Sequence, residues 1–258
     1  QSRGNMKLVV LASLVGLSLG APSSGILASL KLRNAGLYQG DIKGIAGVKP
    51  GEEHMGRAAI NDDAYLWTNG VVPYQIMDPS TQSMIRGAMD EIEAKTCVRF
   101  VPHSNENDYI YITSSSSGCW SYVGSYGGAQ EVSLDRNGCL YHGTAIHELM
   151  HAIGFYHEHC RNDRDSYVYI HYENVQAGYA YAFDKDTNWR YVGEGYNYNS
   201  IMHYGAYSFS VDPWQTKTID VLMDGYTISD PWEKSEMAQS DANQINNLYA
   251  GQCGLREK

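Results

Sequence analysis

At 258 residues, with 43% hydrophobic content and five cysteines, the chain is long enough for one domain of roughly 200 residues plus a removable segment. A formal charge of −10 argues against nucleic acid or an anionic membrane as the main partner. Twenty-one tyrosines against four phenylalanines suit a wet, loop-rich molecule, because tyrosine joins an apolar body to a polar tip.

In chain order, Met6-Lys7 precedes a short apolar run from Leu8 to Leu19, and small residues follow at Gly20 and Ala21. A positive flank, a short apolar stretch and small residues predict a secretory signal peptide over 1–21, too short for a membrane span. Residues 1–5 precede Met6 and carry no structural role in this reading. No other apolar run could cross a bilayer, so the expected product is secreted and extracellular. Residues 22–57 are rich in Gly, Ser and Lys with weak periodicity and read as a pro-segment. Within it, Gly40-Asp41 is by itself a common turn pair. Arg57 before Ala58 is a plausible trypsin-like cleavage point, which leaves 58–258 as the catalytic domain.

Val71–Ile76 predicts a strand, with Thr68-Asn69-Gly70 as the turn before it. Residues 80–96 predict a helix, capped at Ser80 or Thr81, with Ile85, Ala88, Met89 and Ile92 as its apolar stripe. Cys97–Val101, Tyr109–Thr113, Trp120–Val123 and Gln130–Leu134 predict further strands. A second helix is expected over 141–153 and a last one from Ser240 to Tyr249, with little periodicity across 161–237. The order of elements is that of an α+β fold.

The chemistry concentrates in 147–158, read His-Glu-Leu-Met-His-Ala-Ile-Gly-Phe-Tyr-His-Glu. His147 and His151 are four residues apart, which puts both imidazoles on one helical face, where they suit zinc. Glu148 lies roughly 100° round the helix and can act as general base without ligating. Gly154 lets the helix stop and turn, so His157 can return as third ligand. Three protein ligands leave a position open, the pattern of a catalytic zinc site.

This extended motif is identified as the metzincin pattern, and the glutamate after the third histidine resembles the astacin family of zinc endopeptidases. Ser200-Ile201-Met202-His203-Tyr204 resembles that family's Met-turn, and the likeness runs through 58–253, including blocks at 119–124 and 241–249. The resemblance implies a two-lobed fold: an upper lobe of small mixed sheet and two long helices, and a loop-rich lower lobe with a C-terminal helix. It implies one zinc ion per chain on His147, His151 and His157, Glu148 as base, and Tyr204 as a fifth ligand that swings away to stabilise the oxyanion. Met202 is expected as an apolar floor under the histidines, and His203 as a structural histidine. Leu37–Ile42 resembles the family's F-x-G-D latency motif with Tyr38 in place of phenylalanine, which makes Asp41 the candidate switch that blocks the open zinc position. Cleavage would free the Ala58 amine to meet Glu158. The implied disulfides are Cys97–Cys253 and Cys119–Cys139, with Cys160 left over as a buried thiol. Pro231 matches a position that selects the residue after the cut, and proline there implies small residues.

The expected partners are protein or peptide substrates, bound extended along the edge at Gly118–Tyr122 by a monomeric enzyme, with no nucleic acid and no membrane. The competing readings are an inactive protease-like zinc-binding protein, which would lack a base or a ligand, and a purely structural zinc protein, which Glu148 and the ligand count oppose.

Overall fold

The computed structural model describes residue 34 and residues 36–45, 59–114, 118–185, 190–213 and 215–254. The predicted signal peptide, Arg57 and Ala58 lie outside the described residues.

Eight strands are labelled in chain order: β1 Ile42–Ile45, β2 Val71–Ile76, β3 Arg99–Pro102, β4 Tyr109–Thr113, β5 Cys119–Val123, β6 Ala129–Leu134, β7 Val168–Ile170 and β8 Ile219–Val221. The α-helices among the described residues are α1 Gln82–Lys95, α2 His142–Ala152 and α3 Gln239–Leu248. Strands β1 to β6 form one sheet in the order β1-β5-β6-β4-β2-β3. All its neighbours are parallel except the β5–β6 pair. Such a sheet needs cover, and α1 supplies it by burying Ile85, Ala88, Met89 and Ile92. That is the predicted stripe. The helix starts differently from the prediction: Asp78 accepts from Ser80 N at 3.0 Å and opens a 3-10 turn, Pro79–Thr81, that leads into α1. Thr81 does hold the N-cap position of α1, but its hydroxyl donates to Asp78 O at 2.9 Å and takes no N–H of the helix.

Every residue of α2 from Gly143 to Ala152 is buried, because the helix runs between the sheet, α1 and the lower half of the molecule. A helix enclosed on all sides needs no polar face. Gly143 is required at its first turn: a Cβ there would collide with the carbonyls of Pro231 and Lys234.

The upper core gathers Ile85, Met89, Ile92, Val72, Ile110, Val132, Ile146 and Leu149. A separate lower cluster holds Val168, Ile170, Phe183, Tyr198, Tyr204, Phe209 and Ile219, around the two-stranded β7–β8 ribbon. Two cores on either side of the α2 end give the expected two-lobed α+β architecture. Cys97–Cys253 ties the chain just before β3 to the segment after α3, across a sequence separation of 156. In the loop-entropy view a bridge of that span contributes up to about 5 kcal/mol. Cys119–Cys139 fastens β5 to the approach of α2. Cys160 is buried, takes part in no disulfide among the described residues, and its thiol donates to Ala182 O at 3.5 Å.

β1 belongs to the stretch expected to be removable. It lies parallel along the outer edge of β5, with Ile42 beside Ser121 and Ile45 beside Val123, and Ser121 N donates to Asp41 O at 3.0 Å. The edge expected to take substrate is therefore covered by the chain's own residues. No helix among the described residues is long and apolar enough to cross a membrane.

Candidate metal centre and active site

His147 and His151 project from the same face of α2, with ring centroids 4.7 Å apart. Gly154 ends the helix at φ +108°, a left-handed conformation that a Cβ would resist. The reversal carries His157 back, so that its ring lies 4.8 Å from His151 and 5.2 Å from His147. Each ring is pinned from behind. Nδ1 of His147 donates to Ile201 O at 2.8 Å, Nδ1 of His151 to Phe155 O at 2.7 Å, and Nδ1 of His157 to Gln39 Oε1 at 2.8 Å. These acceptors put the ring proton on Nδ1 and leave a bare lone pair on every Nε2.

The three Nε2 atoms converge: His147 lies 3.1 Å from His151 and 3.3 Å from His157. Three lone pairs facing one another in a buried space repel unless a cation lies among them. A tetrahedral zinc with metal–nitrogen distances of about 2.0–2.1 Å spaces its ligands about 3.4 Å apart, which is close to the observed separation. Burial holds His147 below its usual pKa and brings His157 down to about 4, so both are neutral and able to ligate near neutrality. The residues present therefore fit zinc.

Asp41 completes the cluster. Its Oδ2 lies 3.2 Å from His147 Nε2, and its Oδ1 lies 3.2 Å from His157 Nε2 and 3.4 Å from His151 Nε2. Oδ1 makes no hydrogen bond among the described residues, leaving an acceptor aimed at the same space as the three nitrogens. Burial opposes the Asp41 charge, but the imidazoles of His157, His151 and His147 outweigh it and hold the carboxyl well below its usual range. The Tyr204 hydroxyl lies 2.8 Å from Asp41 Oδ2 and 2.9 Å from Gln39 O, and directs its proton between those two acceptors. Burial, and then the Asp41 charge, keep the Tyr204 phenol protonated far above its ordinary range.

Glu148 is fully buried, and neither carboxyl oxygen has a hydrogen-bond partner among the described residues. Burial, followed by the nearby Asp41 charge, raises its pKa well above normal. Met202 is buried at the turn below the histidines; its carbonyl accepts from Glu158 N at 2.9 Å. His203 is a satisfied structural histidine: Nδ1 donates to Tyr204 O at 2.6 Å, and Nε2 accepts from the Tyr196 hydroxyl at 2.6 Å.

The sequence of the family profile described as Astacin (peptidase family M12A) matches residues 59–250. The chain belongs to the astacin family. It is 36% identical over 235 residues to "Zinc metalloproteinase nas-6" of Caenorhabditis elegans, covering 88% of this chain and 66% of that protein. It is 40% identical over 199 residues to "Astacin-like metalloprotease toxin 1" of Loxosceles intermedia, covering 75% of this chain and 74% of the toxin. Its fold matches "High choriolytic enzyme 1", a hatching enzyme zinc-protease from Oryzias latipes, with a TM-score of 0.69 at 39% identity, across 74% of this chain and 98% of that one. The chain spans just under two thirds of the length of the nas-6 protein and smaller shares of some other relatives. Zinc is thus the metal of this astacin's site, and His147, His151 and His157 with Asp41 are the donor set for it.

Sequence reasoning missed the residues that hold this astacin's Met-turn from outside. Asp241, on α3, accepts from Ser200 Oγ at 2.6 Å and from Ile201 N at 2.9 Å. The half-buried Lys234 donates from its ammonium to Ser200 O at 2.6 Å and His203 O at 3.0 Å. An acid thus takes the turn's donors and a base its carbonyls, and Ile201 O in turn orients His147. Asp241 lies in a block that the sequence singled out only for its likeness to the family. Pro231, expected to select the residue after the cut, is buried at the start of a 3-10 turn, with its carbonyl close against Gly143.

Ala58 lies outside the described residues, but Ala59 is buried and bridges Phe155, and Ile60 N donates to Gly154 O at 3.0 Å. The chain therefore enters the domain at the end of α2. Glu158 is buried and accepts from Arg161 Nη1 at 3.2 Å and Asn197 N at 2.8 Å. Burial lifts its pKa to about 7 against the pull of Arg161. A carboxyl raised on folding favours the folded state fully below its unfolded value of 4.5, and that contribution is lost as pH rises through about 7. Glu158→Gln removes this term. In urea unfolding of the full chain, the variant should gain about 2–3 kcal/mol relative to the natural chain between pH 4.5 and 8. A pH-independent difference between the two proteins would refute the assignment.

Proposed function

We propose that the chain is the latent precursor of a secreted zinc endopeptidase that hydrolyses peptide bonds in proteins and is activated by a cut before Ala58. The observation that carries this reading is the Asp41 carboxylate, set within 3.2–3.4 Å of all three histidine Nε2 atoms. A carboxylate on the open position of a three-histidine site excludes water by occupancy. Two disulfides suit an oxidising compartment.

His147, His151 and His157 would hold zinc, which supplies Lewis acidity to the scissile carbonyl and to a water. With the pro-segment gone, the β5 edge is open and its backbone groups can align an extended peptide. Glu148 takes a proton from the attacking water and returns it to the leaving amine. Tyr204, released from Asp41, turns its hydroxyl proton to the carbonyl oxygen as negative charge develops there. The buried Met202 and the clamp on residues 200–203 keep the histidines from following it. The enzyme is read as a monomer acting on protein or peptide substrates. A non-catalytic zinc-binding protein would lack a ligand or the base, and all four residues are in place.

The test treats the purified precursor with trypsin and follows casein cleavage with and without a zinc chelator while the new N-terminus is sequenced. Activity should appear with the cut before Ala58 and vanish with chelator. A cut at that bond with no activity, in protein that contains zinc, would overturn the reading.

A further inference from the structure

The pro-segment touches the metal centre at a second residue besides Asp41. Gln39 is completely buried, and its side-chain Oε1 accepts the Nδ1 proton of His157 at 2.8 Å. Its amide nitrogen donates to the Tyr38 hydroxyl at 3.3 Å, which fixes which end of the amide faces the histidine. Its main-chain carbonyl lies 2.9 Å from the Tyr204 hydroxyl. Gln39 has φ +50° and Gly40 φ +101°. Two successive left-handed residues aim the Gln39 carbonyl, the Gln39 amide and the Asp41 carboxylate into one small space. A residue with a Cβ adopts that conformation only where its surroundings hold it there.

The three zinc histidines differ in where their outer partners come from. His147 and His151 donate to carbonyls of Ile201 and Phe155, both within the domain that remains after activation. His157 donates to a residue that cleavage before Ala58 would release. An acceptor behind a metal-bound imidazole fixes its tautomer and raises its basicity, and loss of such a partner typically weakens metal binding about 10- to 100-fold.

We propose that Gln39 is a positioning residue of the latent metal centre, fastening His157 to zinc through Nδ1, so that the same segment blocks the metal and tightens its hold on it. The proposal rests on the latent-precursor reading. On this view, activation changes the metal site in two ways: it opens a coordination position and it leaves His157 to find another acceptor. The precursor then binds zinc more tightly than the enzyme it releases.

The experiment measures zinc affinity of the intact precursor by competition with a chromophoric chelator, for the natural chain, Gln39→Met and Gln39→Glu. Met keeps the volume without the acceptor, and Glu keeps the acceptor. Gln39→Met should lose about 10- to 100-fold in affinity. Gln39→Glu should stay within about threefold of the natural chain. Thermal unfolding of the zinc-free precursors separates positioning from packing. Loss of stability in Gln39→Met without zinc, together with natural zinc affinity, would overturn the proposal. Weak zinc binding by Gln39→Glu would overturn it too, and this arm serves if the Met variant does not fold. After trypsin, all three precursors release the same mature molecule, so their affinities must coincide; any difference seen only before cleavage belongs to residue 39. Asp41→Ala in parallel tests latency through activity, so a failure of the latency reading is scored apart from the zinc-affinity result.

Discussion

Glu148→Gln removes peptide cleavage from the activated enzyme, lowering kcat by a factor of about 10²–10⁴ while zinc content stays at one ion per chain. The change is isosteric and sits in a fully buried place on α2, between residues that are themselves buried. Neither Glu148 oxygen is tied to another group among the described residues, so no structural bond is lost when one oxygen becomes an amide nitrogen. The three histidines keep their Nδ1 acceptors, none of which involves Glu148. What the amide cannot do is take a proton from water and hand it on. Casein cleavage at a rate comparable with the natural enzyme would show that another group is the base, and loss of zinc would show that Glu148 is a ligand after all.

Asp41→Ala gives a precursor that cleaves peptides without being cut itself, with activity about 10- to 100-fold above that of the natural precursor. The carboxylate faces all three Nε2 atoms and accepts from Tyr204. Its removal deletes at least one charge-assisted bond, a class worth about 1.5–3 kcal/mol, which corresponds to that range of open state. Activity remains below that of the mature enzyme, because β1 still covers the β5 edge. A short fluorogenic peptide offered to the uncleaved variant reads the gain, with gels confirming that Arg57-Ala58 is intact. If the variant is as silent as the natural precursor, coverage of the β5 edge maintains latency and the carboxylate does not.

The parts of this molecule that were legible in its sequence are those whose logic is local. The four-residue spacing of His147 and His151 needs only helical geometry, and Gly154 announces the turn that returns His157. The α1 stripe of Ile85, Ala88, Met89 and Ile92 follows from period alone, and boundaries move by only a residue or two: 141–153 becomes His142–Ala152, and 80–96 becomes Gln82–Lys95. Asp41 and the disulfide pairing came through likeness to a family, since nothing in a Gly-Asp turn specifies a metal. The strand β1 was not legible: Ile42–Ile45 has no independent pattern and is extended because it lies against β5. The short β7 and β8, three residues each and about fifty apart, exist for the same non-local reason. Gln39 carried no signal at all, being one polar residue in a weakly patterned stretch.

The clamp of Asp241 on Ser200 and Ile201 has a consequence for the order in which the chain is made. Ile201 O accepts from His147 while Ile201 N donates to Asp241, so the turn behind the metal centre is completed by a helix that leaves the ribosome about ninety residues after the histidine it steadies. Asp41 has by then been outside for about two hundred residues. In a chain that emerges N-terminus first, the carboxylate that faces the three histidines is always older than the centre it faces. On the proposed latent-precursor reading, the centre never forms in a chain that lacks its blocking carboxylate.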